Sequence, residues 1–95
     1  MKTLHLLITG RVQGVGFRDW LMHEAMQRGL TGWVRNCGLD TVEAVISGPA
    51  EAVDGCVKLC WRGPALAAVS AVSATQTTPP AAPGFIRRSS VSSPR

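Results

Sequence analysis

The run Gly10-Arg11-Val12-Gln13-Gly14-Val15-Gly16-Phe17-Arg18 sets three glycines between segments of two different periods, and so commits this part of the chain to a strand, a tight loop and a helix. Ahead of it Leu4, Leu6 and Ile8 alternate with Thr3, His5 and Thr9, the pattern of a half-buried strand over residues 2–9. Behind it Phe17, Leu21, Met22, Ala25 and Met26 recur at helical spacing as far as Gly29, which predicts a helix over 17–28. Glycine lets successive N–H groups curl toward one point without Cβ interference. The first turn of a helix adds unpaired N–H groups and a partial positive charge. Arg18 brings a planar fork of donors that suits phosphate oxygens. A plain chain reversal would use the same glycines, so the run by itself leaves both readings open.

The remaining elements follow from period and punctuation. Leu30–Asn36 and Thr41–Ser47 are predicted strands, joined by Cys37-Gly38-Leu39-Asp40 into a hairpin. Pro49 suits the first position of a helix running to Arg62, with Val53, Cys56, Val57 and Cys60 as its buried stripe and Gly63-Pro64 as its stop. A strand is predicted over Leu66–Thr77, with Val69 and Ala71 on one face and Ser70 and Val72 on the other, and a short last strand over Gly84–Arg87. The order βαββαβ specifies an α+β, ferredoxin-like sandwich: an antiparallel sheet with two helices on one face. Residues 1–88 are read as one domain, and the Ser/Pro/Arg-rich segment 89–95 as a disordered tail.

Composition narrows the function. The chain has 95 residues, 45% of them hydrophobic, enough for one modest core. No apolar run approaches the ~20 residues of a membrane span, and the N-terminus lacks the layout of a signal peptide, so a cytoplasmic protein is expected. Cys37, Cys56 and Cys60 are odd in number and lack a second metal-type pair, which argues against a disulfide framework or a zinc site. Cys56 and Cys60 read as core filler, and Cys37 as a bystander in the hairpin turn. His5 and His23 have no partner placed by sequence; Trp20 and Trp61 are assigned to covering the core, and Trp33 either to the core or to the open side of the sheet. The net charge of +4 favours an anionic ligand, yet the cations are dispersed and aromatics make up only 5%, too few for a base-stacking platform. Nucleic acid is the weaker candidate.

A second motif sharpens the reading. Gly32-Trp33-Val34-Arg35-Asn36, taken with Gly10–Arg18, resembles the acylphosphatase family, in which G-R-V-Q-G-V-G-F-R is followed by G-W-V-R-N at about this separation. The likeness continues weakly through Thr41-Val42-Glu43-Ala44, Ser47-Gly48-Pro49, Arg62-Gly63-Pro64 and Gly84-Phe85-Ile86-Arg87. The resemblance implies hydrolysis of small-molecule acyl phosphates, such as acetyl phosphate, carbamoyl phosphate or 1,3-bisphosphoglycerate, by a monomer that needs no cofactor or metal. It also implies roles. The amides of Gln13, Gly14, Val15, Gly16 and Phe17, with the Arg18 side chain, would bind the phosphate. Asn36 would orient the attacking water, and the substrate's own phosphate would serve as base. The chemistry agrees, since a carboxylate leaving group is weakly basic and departs without a proton donor. Two other classes stay open: a non-catalytic anion-binding regulatory module and a basic nucleic-acid-binding domain. This chain departs from the family at Leu39-Asp40, where Asp-Gly is common, and in the uncharged run Ala67–Ala74 of the fourth strand.

Overall fold

The computed structural model describes residues 1–92, in the order β1 (Lys2–Arg11), α1 (Phe17–Gln27), β2 (Thr31–Cys37), β3 (Thr41–Gly48), α2 (Ala50–Arg62), β4 (Ala68–Gln76) and β5 (Phe85–Arg87). The strands form one sheet in the order β4-β1-β3-β2-β5. Four of them pair antiparallel, as the ferredoxin-like reading requires, whereas β5 lies parallel to β2 and makes the sheet mixed. The direction of β5 follows from connectivity. Because β4 runs opposite to β2, a chain that crosses from the end of β4 to the far edge of the sheet returns parallel to β2.

The two-residue period of β1 holds. Leu6 and Ile8 are fully buried and Leu4 nearly so, and with Val34, Val42, Ala44 and Ile46 they meet Phe17, Leu21 and Ala25 of α1 and Val53, Cys56 and Cys60 of α2. Val57 is only half-buried. Helix α1 stops as predicted at Gly29, whose φ is +69°. There the N–H of Leu30 donates to Ala25 O at 3.0 Å and that of Gly29 to Met26 O at 3.0 Å, the paired bonds of a Schellman ending. Pro49 sits one position earlier than expected. Its ψ of 139° is still extended, so it caps α2, accepting the Val53 N–H at 3.0 Å, and Ala50 is the first helical residue.

Three further details differ from the sequence reading. In β4 a bulge between Thr9 and Gly10 leaves Ser70 without a partner on β1, so Val69 and Val72, three apart, both turn toward the core. Trp20 packs edge-on against Phe17 and Trp33 lies on the sheet's open face, but Trp61 is mostly exposed. Arg88 and residues 89–92, the latter expected to be disordered, follow the outer edge of β2. Val34 O accepts the Arg88 N–H at 2.8 Å, Asn36 O accepts that of Val91 at 3.0 Å, and Val91 O accepts that of Gly38 at 2.8 Å. An open strand edge offers donors and acceptors in excess of what the three-residue β5 can use, and the chain beyond it fills them. Positions 93–95 of the expected tail lie outside the described residues.

Gly32 shows how tightly β2 and β3 are joined. Its φ is +142°, and a Cβ there would stand 1.8 Å from Val45 O. Gly32→Ala is therefore expected to destabilise the fold by about 2–3 kcal/mol, which for a domain of this size lowers Tm by about 8–24 °C. Thermal melting followed by circular dichroism checks this, and an unchanged Tm would show that the strands can separate without cost.

Candidate active site

Strand register brings the two motifs together. Thr41 of β3 stands opposite Thr9 of β1 and also opposite Cys37 of β2, so the parallel strands β1 and β2 finish at the same end of the sheet. The glycine loop leaves β1 there, next to Asn36. Val12 and Phe17, each 1% exposed, anchor the loop in the core at both ends. Gly14 (φ +74°) and Gly16 (φ +79°) hold left-handed conformations, although a Cβ on either would meet no atom within 4 Å. Backbone conformation, not crowding, is what calls for glycine at these positions. Gly16 is also the N-cap of α1 and offers no side chain to cap it. Trp20 is the first N–H to bond back, to Gly16 O at 3.0 Å, so the amides of Phe17, Arg18 and Asp19 before it are first-turn donors for an outside acceptor.

A cavity of about 110 Å³ opens at this point, room enough for a small anion with water. Of the residues singled out from sequence, Gly14, Gly16, Phe17, Arg18 and Asn36 line it. Arg18 is half-buried and, among the described residues, has neither a carboxylate nor a hydrogen-bond partner. Asn36 presents its carboxamide from β2, with Oδ1 sealed from solvent and no hydrogen-bond partner. An orphaned buried acceptor costs about 1–3 kcal/mol, which makes this position one that packing alone does not favour. Gln13 and Val15 do not line the cavity. The Gln13 side chain turns instead to the hairpin, where Nε2 donates to Thr41 O at 2.9 Å and Gly38 O at 3.1 Å.

Two wall residues escaped the sequence reading. Asp19, in the first turn of α1, and Arg87, in β5, both line the cavity and form an ion pair of 2.6 Å. They are 68 positions apart, and only the parallel pairing of β5 with β2 brings them together. His5 also has a partner that sequence did not supply. On the sheet's open face, away from the cavity, its Nε2 lies 2.7 Å from Glu43 Oε2, and Arg35 Nε donates to Glu43 Oε1 at 2.7 Å. Burial alone would push the Glu43 carboxyl up, but the hydrogen bonds from His5 and Arg35, with the Arg35 charge, hold it below the usual carboxylate range. Cys37 does not line the cavity either. Burial, aided by the Glu43 charge, pushes its thiol above the ordinary range, the opposite of a reactive cysteine. Among the described residues no three His, Cys, Asp or Glu side chains gather as metal ligands.

Fold and cavity together define a small α+β protein with a cavity at the start of its first helix. The profile of the acylphosphatase family matches residues 4–86. An acylphosphatase of Acidiphilium cryptum is 49% identical over 88 residues, covering 93% of this chain and 97% of its own. One of Azorhizobium caulinodans is 56% identical over 84 residues, covering 87% and 90%. The crystal structure of the Bacillus subtilis acylphosphatase superposes with a TM-score of 0.88 at 32% identity, covering 93% of this chain and 99% of that one. The chain belongs to the acylphosphatase family.

The Asp19–Arg87 pair generates a prediction. An unmasked carboxylate in the wall would repel a bound anion, and Arg87 masks it. Arg87→Ala is expected to weaken binding of inorganic phosphate about fivefold, and adding Asp19→Asn to recover most of the loss. Calorimetric titration measures both; equal affinities in wild type and Arg87→Ala would show that Asp19 is harmless without its partner.

Proposed function

We propose that Arg18 and the amides of the loop residues that line the cavity, Gly14, Gly16 and Phe17, hold the phosphoryl group of an acyl phosphate while Asn36 places the attacking water, so that the chain performs the hydrolysis for which its family is named. The observation that carries this reading is a single cavity combining an unpaired Arg18, a left-handed glycine loop at a helix N-terminus, and the Asn36 carboxamide.

Each group has one task. The arginine fork and the loop amides neutralise charge on the nonbridging oxygens and fix the phosphorus in place. Asn36, coming from another strand, meets the water and not the phosphate. Water oxygen bonds to phosphorus as the bond from phosphorus to the acyl oxygen breaks, and the electron pair leaves with the carboxylate. The water protons pass to the phosphate oxygens and then to solvent. Since the leaving group needs no acid, positioning and preorganised charge supply the rate enhancement. The cavity volume of about 110 Å³ supports a small-molecule substrate. Free Cys37, Cys56 and Cys60 support a reducing, cytoplasmic setting. No helix among the described residues is long and apolar enough to cross a membrane.

Turnover of acetyl phosphate is expected in excess chelator. Arg18→Ala should abolish both turnover and inhibition by inorganic phosphate, and Arg18→Lys should restore neither, because a point charge does not replace the fork. Asn36→Ala should lower kcat about 10²-fold while phosphate inhibits almost as before. Steady-state kinetics separates these cases. A lysine variant with normal kinetics would reduce the role of Arg18 to charge, and a folded Asn36→Ala protein with unchanged kcat would remove Asn36 from the mechanism.

A further inference from the structure

We infer that the Gln13 side chain is a positioning residue, a strut that sets the spacing between the anion loop and Asn36. It belongs to the loop by sequence, but its carboxamide points away from the cavity. Nε2 lies 2.9 Å from Thr41 O, 3.1 Å from Gly38 O and 3.4 Å from Cys37 O. These carbonyls bracket the turn that directly follows Asn36. An amide nitrogen carries two hydrogens, so it satisfies the two nearer oxygens, and the third holds it in the centre of the turn.

One backbone bond also crosses nearby, from Gly10 N–H to Asp40 O at 3.1 Å. On the outer side Asn36 is already held, because its carbonyl accepts the Val91 N–H at 3.0 Å. On its inner side the ladder with β3, in which Asn36 faces Val42, sets its register, and the Gln13 side chain adds a direct brace between that end of the hairpin and the loop. Ligand-binding groups sit on the loop, whereas the water-placing group sits on the strand. A strut between them governs alignment and not affinity, and a displacement near 1 Å can cost about 10² in rate. Of the two nearer acceptors, Gly38 is exposed and Thr41 half-buried, so water can reach carbonyls that lose the Gln13 donor and the fold should tolerate the loss.

This inference rests on the role proposed for Asn36, and a double-mutant cycle tests the two separately. Gln13→Met keeps the length of the side chain and removes the donor. It is expected to lower kcat on acetyl phosphate about tenfold while the inhibition constant for inorganic phosphate moves less than about twofold. In an Asn36→Ala background the same substitution should change kcat by less than about twofold, because no aligned group remains to be displaced. Gln13→Asn, which keeps the carboxamide one methylene short of the turn, reads the same quantity if the methionine variant melts early. Additive losses in the double variant, or a loss confined to phosphate affinity, would overturn the strut. Asn36→Ala alone retaining wild-type kcat would overturn both the strut and the reading beneath it.

Discussion

The pairing of β3 with both β1 and β2 is the constraint on which everything else depends. Thr41 faces Thr9 on one side and Cys37 on the other, and this shared register fixes where β1 releases the glycine loop and where β2 presents Asn36. A one-residue slip of β2 would turn Asn36 and Val34 to the open face and drive Arg35 into the core, and a slip of β1 would take Ile8 out of the core and displace the loop. Burial of Leu6, Ile8, Val34, Val42, Ala44 and Ile46 beneath the helices holds the register, so the apolar face of the sheet aligns the site. Gly32, in close approach to Val45 O, fastens the same pair of strands from the other end of β2.

From that frame the site divides into two parts of different stiffness. The loop is clamped by buried Val12 and Phe17 and continues into α1, so its amides and Arg18 are presented by rigid structure. The hairpin turn is exposed, and it reaches the loop through the Gln13 carboxamide and the Gly10–Asp40 bond. In the proposed mechanism, binding belongs to the loop half and alignment of the water to the hairpin half. The acidic Asp19 is compatible with an anion pocket because Arg87 covers it.

Local patterns made much of this readable from the chain alone. Alternation in β1, helical spacing in α1 and the two glycine-containing motifs locate the core, the loop, Arg18 and Asn36, because each is a property of neighbouring residues. What escaped depends on pairing between distant segments. Nothing local in Ala68–Gln76 announces that Ser70 is bulged out, since the bulge belongs to the match with Thr9 and Gly10. The parallel course of β5, the pairing of residues 88–92 with β2 and the Asp19–Arg87 contact all arise at one sheet edge that sequence does not assign. The Leu39-Asp40 departure has a place as well: Leu39 is almost wholly exposed, and Asp40 keeps its carbonyl for Gly10.

The central claim is that water held at Asn36 attacks phosphorus held by Arg18 and the loop. Hydrolysis of acetyl phosphate in water enriched in heavy oxygen, with the products analysed by mass spectrometry after a single turnover, tests it directly. Attack at phosphorus puts the heavy atom in inorganic phosphate and leaves acetate unlabelled. Label in acetate would mean attack at the carbonyl carbon, and would contradict the roles derived for both residues.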